Sequence, residues 1–255
     1  MQARTTRLTT RAAATFIGLA LASGCATAQE PEATAEASPT TPSATTPSPT
    51  TPSPTTPSVR ARAEPLTTAQ LKDLAFKDGE VPQAHEPLSV QAPPPEGSER
   101  SFPPISVPAC RPLIDVRSGE GSFAHVFQVF NWKKNIMGGS STLASYEGDE
   151  AEQRFAALRQ ALTTCRSYEG EGYAGPFEVT VRTETPPQVG EEALAFREIS
   201  PVESDSLGDS SEQFIVVRTG NTIATFSELS VGPDLSFPTE LIRRQVERLK
   251  DAQQP

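Results

Sequence analysis

The unit Thr-Thr-Pro-Ser recurs at residues 40–43, 45–48, 50–53 and 55–58, and it decides which part of the chain is free to fold. From Ala26 to about Ala63 the sequence is dominated by Ala, Glu, Thr, Ser and Pro. Such a stretch has no apolar surface to offset the entropy of ordering it, so residues 25–63 are expected to be a disordered spacer. Proline at this density favours extended polyproline II, and some 35 residues at about 3.1 Å each reach on the order of 100 Å. The composition suits O-glycosylation as well as an unmodified spacer. The folded part is therefore expected over residues 64–252.

Ahead of the spacer, Arg4, Arg7 and Arg11 precede an apolar run from Ala12 to Ala22, which ends in Leu21-Ala22-Ser23-Gly24-Cys25. Positive charge, a short apolar core and then small residues make a secretory leader over 1–24. The core of about eleven residues is well short of the roughly 20 a membrane-spanning helix needs. The end of the leader resembles a bacterial lipobox, although Ala22 stands where Leu is usual. Cys25 is thus the expected lipidation site, carrying a diacylglyceryl group and acyl chains such as palmitate. Two chains suffice for stable anchoring, so the expected location is the outer face of the cell membrane. The alternative is an ordinary cleaved leader with an incidental Cys25.

Charge and cysteines narrow the function. The chain has 22 basic and 32 acidic residues. Loss of the three leader arginines, with no acid, takes the mature charge to about −13. A strongly acidic domain is poorly suited to the phosphates of nucleic acid or to an anionic lipid surface, and it favours solubility. With Cys25 assigned to lipid, Cys110 and Cys165 remain, and in an exported protein an even remainder reads as a disulfide. A metal pair or a reactive thiol is the alternative, without CxxC spacing or a histidine cluster to support it.

The pattern beyond residue 64 reads as α+β. Thr67 and Gln70 form a capping box, with Leu66 and Leu71 as a hydrophobic staple and Gly79 as a stop. A short extended run covers Pro87–Gln91, and a second proline-rich stretch, 92–108, leads to Cys110 as a packed strap or a mobile flap. Val126–Trp132 reads as a strand, returning through Met137-Gly138-Gly139 into Ser141–Tyr146. Asp149 and Glu152 box a helix with Ala151, Phe155, Leu158, Leu162 and Cys165 on one face. That face turns Cys165 toward the core, within reach of Cys110. Strands follow around Phe177–Arg182, Leu194–Phe196, Phe214–Arg218 and Thr222–Phe226, the last two joined through Thr219-Gly220-Asn221. A last helix begins near Pro238 and buries Ile242, Val246 and Leu249. Helices and strands do not alternate regularly, so the expectation is one domain with helices packed on an antiparallel sheet.

The Leu66–Leu71 start, the Gly138–Leu143 turn and strand, the helix closing on Thr164-Cys165, the Val216–Asn221 hairpin and the final Val246-Glu247-Arg248-Leu249 helix together resemble the PknH-like extracellular sensor domain family. Members occur outside actinobacterial cells, joined to a receptor kinase by a membrane helix or as free-standing lipoproteins. The resemblance implies a twisted antiparallel sheet with helices on one side and a cleft. Family members often carry two disulfides; this chain can form one. It has no Gly-rich ATP loop or kinase catalytic-loop pattern.

No catalytic set stands out, no metal ligands are assigned and no cofactor is implied. His85 and His125 lack metal spacing, and there is no nucleophile elbow. Glu147-Gly148-Asp149-Glu150 has oxygen ligands suited to calcium, but helix capping explains Asp149 equally well. Trp132, Phe127, Phe130 and Tyr146 either line an apolar ligand-binding groove or belong to the core. Asn131, Lys133 and Lys134 make a small basic spot that suits an anionic ligand or a solvated loop. The expected function is a lipid-anchored, non-catalytic module that binds an unknown envelope ligand or protein. A wall-spacing protein is the alternative, as is an envelope hydrolase if Ser140, His125 and a carboxylate converge.

Overall fold

In the computed structural model the described residues are 64–93, 104–172, 175–202 and 208–254. The expectations for the leader, Cys25 and the spacer lie outside them, as does most of the 92–108 stretch.

The first helix, α1 (Thr68–Leu74), starts as its sequence dictates: Thr67 accepts from the Gln70 amide, and the Gln70 side chain takes the Thr67 amide at 2.8 Å. Leu66 and Leu71 are both buried, as a staple requires. The helix stops at Ala75, in extended conformation, rather than at Gly79, which takes φ +83° in the following loop. Two residues, Val90–Gln91, form β1. A 3-10 turn at Pro108–Cys110 runs into α2 (Arg111–Ser118), which the sequence pattern did not reveal. Next come β2 (Ala124–Phe130), β3 (Gly139–Ser145) and α3 (Glu150–Thr164). Asp149 occupies the N-cap of α3 without a side-chain cap hydrogen bond, so the predicted capping box does not form. Then follow β4 (Ser167–Gly172), β5 (Gly175–Glu184), β6 (Glu192–Ser200), β7 (Ser210–Thr219), β8 (Thr222–Val231) and α4 (Thr239–Ala252).

All eight strands form one antiparallel sheet in the order β1-β2-β3-β8-β7-β6-β5-β4. After β3 the chain leaves the middle of the sheet, runs through α3 to the far edge at β4, and returns strand by strand until β8 pairs with β3. The β7–β8 turn is as tight as predicted: Thr219 pairs with Thr222, and Gly220 takes φ +56° between them.

The helices cover both faces of the sheet, not one. Successive side chains on a strand point to opposite faces, and β7 supplies both cores. Ile215 and Val217 join Leu71, Phe76, Phe237, Ile242 and Val246 under α1 and α4. Phe214 and Val216 join Leu113, Ile114, Phe155, Leu158 and Val179 under α2 and α3. Burial on both faces explains why Phe214-Ile215-Val216-Val217 is an unbroken apolar run rather than an alternating one. The described residues lie in a compact unit bounded at Pro57–Pro255. Within it the Cys110–Cys165 disulfide joins the turn before α2 to the end of α3, with Cα atoms 5.3 Å apart and both residues buried.

Candidate functional site

Helix α2 ends on the sheet, and the way it ends builds the site. The last carbonyls of a helix lack intrahelical partners. Here two strand hydroxyls supply them: Thr142 Oγ1 donates to the Arg117 carbonyl at 2.7 Å and Thr225 Oγ1 to that of Val116 at 2.8 Å. Gly119 closes the helix in the left-handed region, φ +70°, over His125, whose Cβ and Cγ lie 2.9 Å from where a side chain at 119 would begin. Only glycine satisfies both conditions there. The helix is therefore fixed in height and direction, and Arg117 in its last turn reaches beyond it across the sheet.

The guanidinium of Arg117 lies 4.7 Å from the centre of the Phe214 ring. Its terminal nitrogens donate to both Glu198 oxygens, at 2.8 and 3.1 Å, and to the Tyr168 hydroxyl at 2.8 Å. Tyr168 in turn donates to Glu198 at 2.8 Å. The Arg117 side chain is 20% exposed and that of Glu198 is 7% exposed. Burial works against the charge on Arg117, but the carboxylate of Glu198, with Tyr168 and Glu212, outweighs it and raises the pKa. Burial, chiefly, pushes the Tyr168 phenol up as well, so it stays a neutral donor. Glu212 stands directly opposite Glu198 across β6 and β7. Burial pushes its carboxyl up, against the smaller opposing pulls of Arg117 and the Ser227 hydroxyl. Ser227 and Ser140, paired in register on β8 and β3, have hydroxyls 2.8 Å apart. Val129 on β2 pairs with Ser140, and Leu229 on β8 pairs with Glu212. Phe127, Val129, Ser140, Glu212 and Leu229 are all half-buried. Together they floor a stretch of sheet that α2 leaves partly uncovered.

The four rings anticipated as a groove are not brought together. Phe130 and Trp132 stack at 5.1 Å in the core under α1 and α4. Tyr146 is buried in the opposite core, its phenol pushed up to about 12 by burial. Phe127 is half-buried on the α2 side. Trp132 is instead a fastener: its indole N–H donates to Glu228 at 2.5 Å, and Asn135 Nδ2 donates to the other oxygen at 2.8 Å. In the same hairpin Lys133 Nζ donates to the Pro82 carbonyl at 2.8 Å, and Ile136 and Met137 are exposed.

Ser140 and His125 do not meet. They belong to register pairs four residues apart along β2 and β3, about 13 Å of strand, and His125 Nδ1 lies 3.1 Å from Ser122 Oγ. Among the described residues no group of three or more His, Cys, Asp or Glu side chains is placed to hold a metal ion. Arg117 and Tyr168 escaped the sequence reading because α2 and β4 did, and Glu198 and Glu212 lie on β6 and β7 just outside the segments read as strands. The available signal was Arg117 one turn after the buried Leu113 and Ile114, at the end of a short amphipathic segment.

Neither a protein-family model nor a curated protein matches the sequence. Solved structures do. The extracellular domain of PknH from Mycobacterium tuberculosis superposes with a TM-score of 0.51 at 11% identity, over 74% of this chain and 97% of that one. A putative uncharacterized protein from Mycobacterium smegmatis aligns over 72% of this chain and 92% of its own, at 16% identity and a TM-score of 0.33. At such identities the likeness is one of architecture: the domain shares the fold of the PknH extracellular domain.

Proposed function

We propose that this chain is an extracytoplasmic lipoprotein whose domain is a non-catalytic binding module, anchored through Cys25 and binding on the sheet face beyond α2. The observation that carries the binding reading is the preorganised Arg117–Tyr168–Glu198 set at the edge of a half-buried floor of Phe127, Val129, Ser140, Glu212 and Leu229. Rigid polar groups beside an incompletely covered apolar surface are the usual make-up of a recognition site. The fold it shares with an extracellular domain agrees with a location outside the membrane. The lipobox-like Cys25 and the long spacer supply the means of attachment. Among the described residues no helix is long and apolar enough to cross a membrane.

The test is native mass spectrometry of the chain extracted from its own envelope without reducing agent. The expected spectrum shows diacylglyceryl mass on Cys25, loss of that mass and release from the membrane in Cys25→Ser, and a retained non-covalent adduct. Membrane retention of the Cys25→Ser chain contradicts the anchor. A spectrum without any adduct contradicts capture of a small molecule.

A further inference from the structure

We propose that the tip of the β2–β3 hairpin, residues 133–137, seats in the headgroup region of an anionic bilayer and gives the domain its own contact with the membrane. This goes beyond the reading above. It needs neither a ligand on the α2 face nor an acyl chain on Cys25.

The tip displays apolar side chains on a fixed frame. Ile136 is 99% exposed and Met137 is 41% exposed. Single exposed apolar residues are ordinary on a protein surface, but this loop is held from both sides. Asn135 Oδ1 accepts from the Met137 amide at 3.0 Å, and its Nδ2 donates to Glu228 at 2.8 Å and to the Leu229 carbonyl at 2.7 Å. Gly138 closes the turn at φ +80°, and its carbonyl accepts from the Leu229 amide at 3.1 Å. On the other arm the Lys133 amide donates to the Gln83 carbonyl at 2.8 Å, and Lys133 Nζ donates to that of Pro82. Trp132 is buried beneath, fastened to Glu228. Ile136 is therefore presented outward, with its ordering entropy already met by the frame.

Charge selects what the tip meets. Residues 121–146 contain no Asp or Glu, in a chain that has 32, and they carry Lys133 and Lys134. Both lysines are exposed beside Ile136. Of the described acids around the hairpin, Glu228 is turned inward to Trp132 and Asn135, Glu80 is held by Arg248 and Asp234 by Arg182. Asp209 precedes β7, which stands two strands from β3, about 10 Å away and beyond a Debye length of about 8 Å. The acidic balance of the chain thus keeps the rest of the domain off an anionic surface and leaves this tip free to approach one.

An apolar pair flanked by lysines matches a lipid interface. The apolar side chains reach the acyl boundary while the ammonium groups stay at phosphate level. Two side chains cover far less than the roughly 800 Å² that each partner gives to a stable protein interface. The tether fits as well. The Leu66 amide donates to Ser145 Oγ, at the end of β3 opposite the tip, so the chain enters the domain about 20 Å from the hairpin. The stretch from Ala26 to Ala63 can extend several times that distance. A chain held at Cys25 can therefore turn this end to the bilayer.

The test uses the mature chain carrying Cys25→Ser, so that no acyl chain contributes. Met137 is the sole methionine left once the leader is removed, and a ¹³C-methyl label there gives one NMR signal. The probe is a vesicle of phosphatidylglycerol and phosphatidylcholine in equal parts, with a nitroxide on its acyl chains, at pH 7. The expected result is broadening of the Met137 methyl signal that fades as salt is raised. Vesicles of phosphatidylcholine alone should broaden it much less. Lys134→Gln should weaken binding about fivefold, and Ile136→Ser about tenfold or more. Ile136→Leu should match the parent, and Trp132 emission should be unchanged in every variant. The inference is overturned if the anionic vesicles leave the signal sharp, if both vesicle types act equally, or if Ile136→Ser binds like the parent. Protection of the Asn135–Gly138 amides in chain recovered from its envelope, without any response to vesicles, would assign the tip to a protein partner and overturn the membrane assignment. None of these outcomes bears on the α2 face, so the two readings fail separately.

Discussion

Replacing Arg117 with Met keeps most of the aliphatic bulk over Phe214 and removes the charge. Glu198, 7% exposed, then faces Glu212 with the Tyr168 hydroxyl as its remaining donor from this set. Removing one partner of a buried ion pair costs about 3–5 kcal/mol. Arg117 is one-fifth exposed, so some solvent screening operates, and we expect the low end, about 3 kcal/mol at pH 7. In a domain of this size each kcal/mol moves Tm by about 2–4 °C, which gives a fall of roughly 9 °C. The sign with pH follows from linkage. Without Arg117 the Glu212 carboxyl, already raised by burial, loses the field that lowered it and holds its proton more tightly still in the folded chain than in the unfolded one. The penalty is therefore complete above the raised folded pKa and disappears as the pH falls toward the unfolded value of about 4.3. Urea unfolding at pH 7 and pH 4.5, with the disulfide intact, measures this directly. The double variant Arg117→Met/Glu198→Gln should recover at least half of the loss, because no uncompensated charge is left at 198. A loss below about 1 kcal/mol at pH 7, or an equal loss at both pH values, refutes the reasoning and makes Arg117 an ordinary surface cation.

Other parts of the structure give sharper local tests. Glu212→Gln should stabilise the chain at neutral pH: the raised carboxyl of the wild type favours the folded state most below its unfolded pKa, so the gain should fade as a pH series of melts approaches pH 4. Cys110→Ala/Cys165→Ala opens a loop with a sequence separation of 55 and should cost about 4 kcal/mol by the chain-entropy model, read as a shift in the urea midpoint. Gly139→Ala places a methyl carbon 2.8 Å from Glu228 Oε2, Trp132 Nε1 and the Ser227 carbonyl. It should cost about 1–3 kcal/mol as an overpacked site and shift the fluorescence of Trp132, the sole tryptophan. Glu228→Gln turns an amide NH₂ toward one of two donors, Trp132 or Asn135, and should cost about 1–2 kcal/mol, visible in the same emission.

Much of the architecture was legible because it rests on local rules. The Thr67–Gln70 capping box, the apolar stripe of α3, the tight Gly220-Asn221 turn and the amphipathic α4 are each written in a few adjacent residues. The disulfide was legible because the face of α3 aims Cys165 inward. What escaped notice depends on tertiary partners. Helix α2 is short and follows a proline-rich stretch, and it is fixed by Thr142 and Thr225, hydroxyls 25 and 109 residues away from the carbonyls they bind. Strand β4, Ser167–Gly172, carries two glycines and three glutamate or serine residues, too little apolar character for a period to show. The rings near Trp132 could not be sorted between groove and core because their fate depends on Phe237, far along the chain, which meets Phe130 and Trp132 edge-on. Coverage of both sheet faces was hidden for the same reason, though the unbroken apolar run of β7 carried the hint.

The central claim is that the sheet face beyond α2 is where this domain binds. Hydrogen exchange on the chain recovered from its envelope, before and after stripping whatever it retains, tests that claim most directly. The account predicts that stripping raises exchange in β6 around Glu198, in β7 around Glu212, in β8 around Ser227 and in the last turn of α2, with the α4 side unchanged. A change confined to the Trp132–Gly138 hairpin or to the α4 side, with β6, β7 and β8 indifferent, would contradict it.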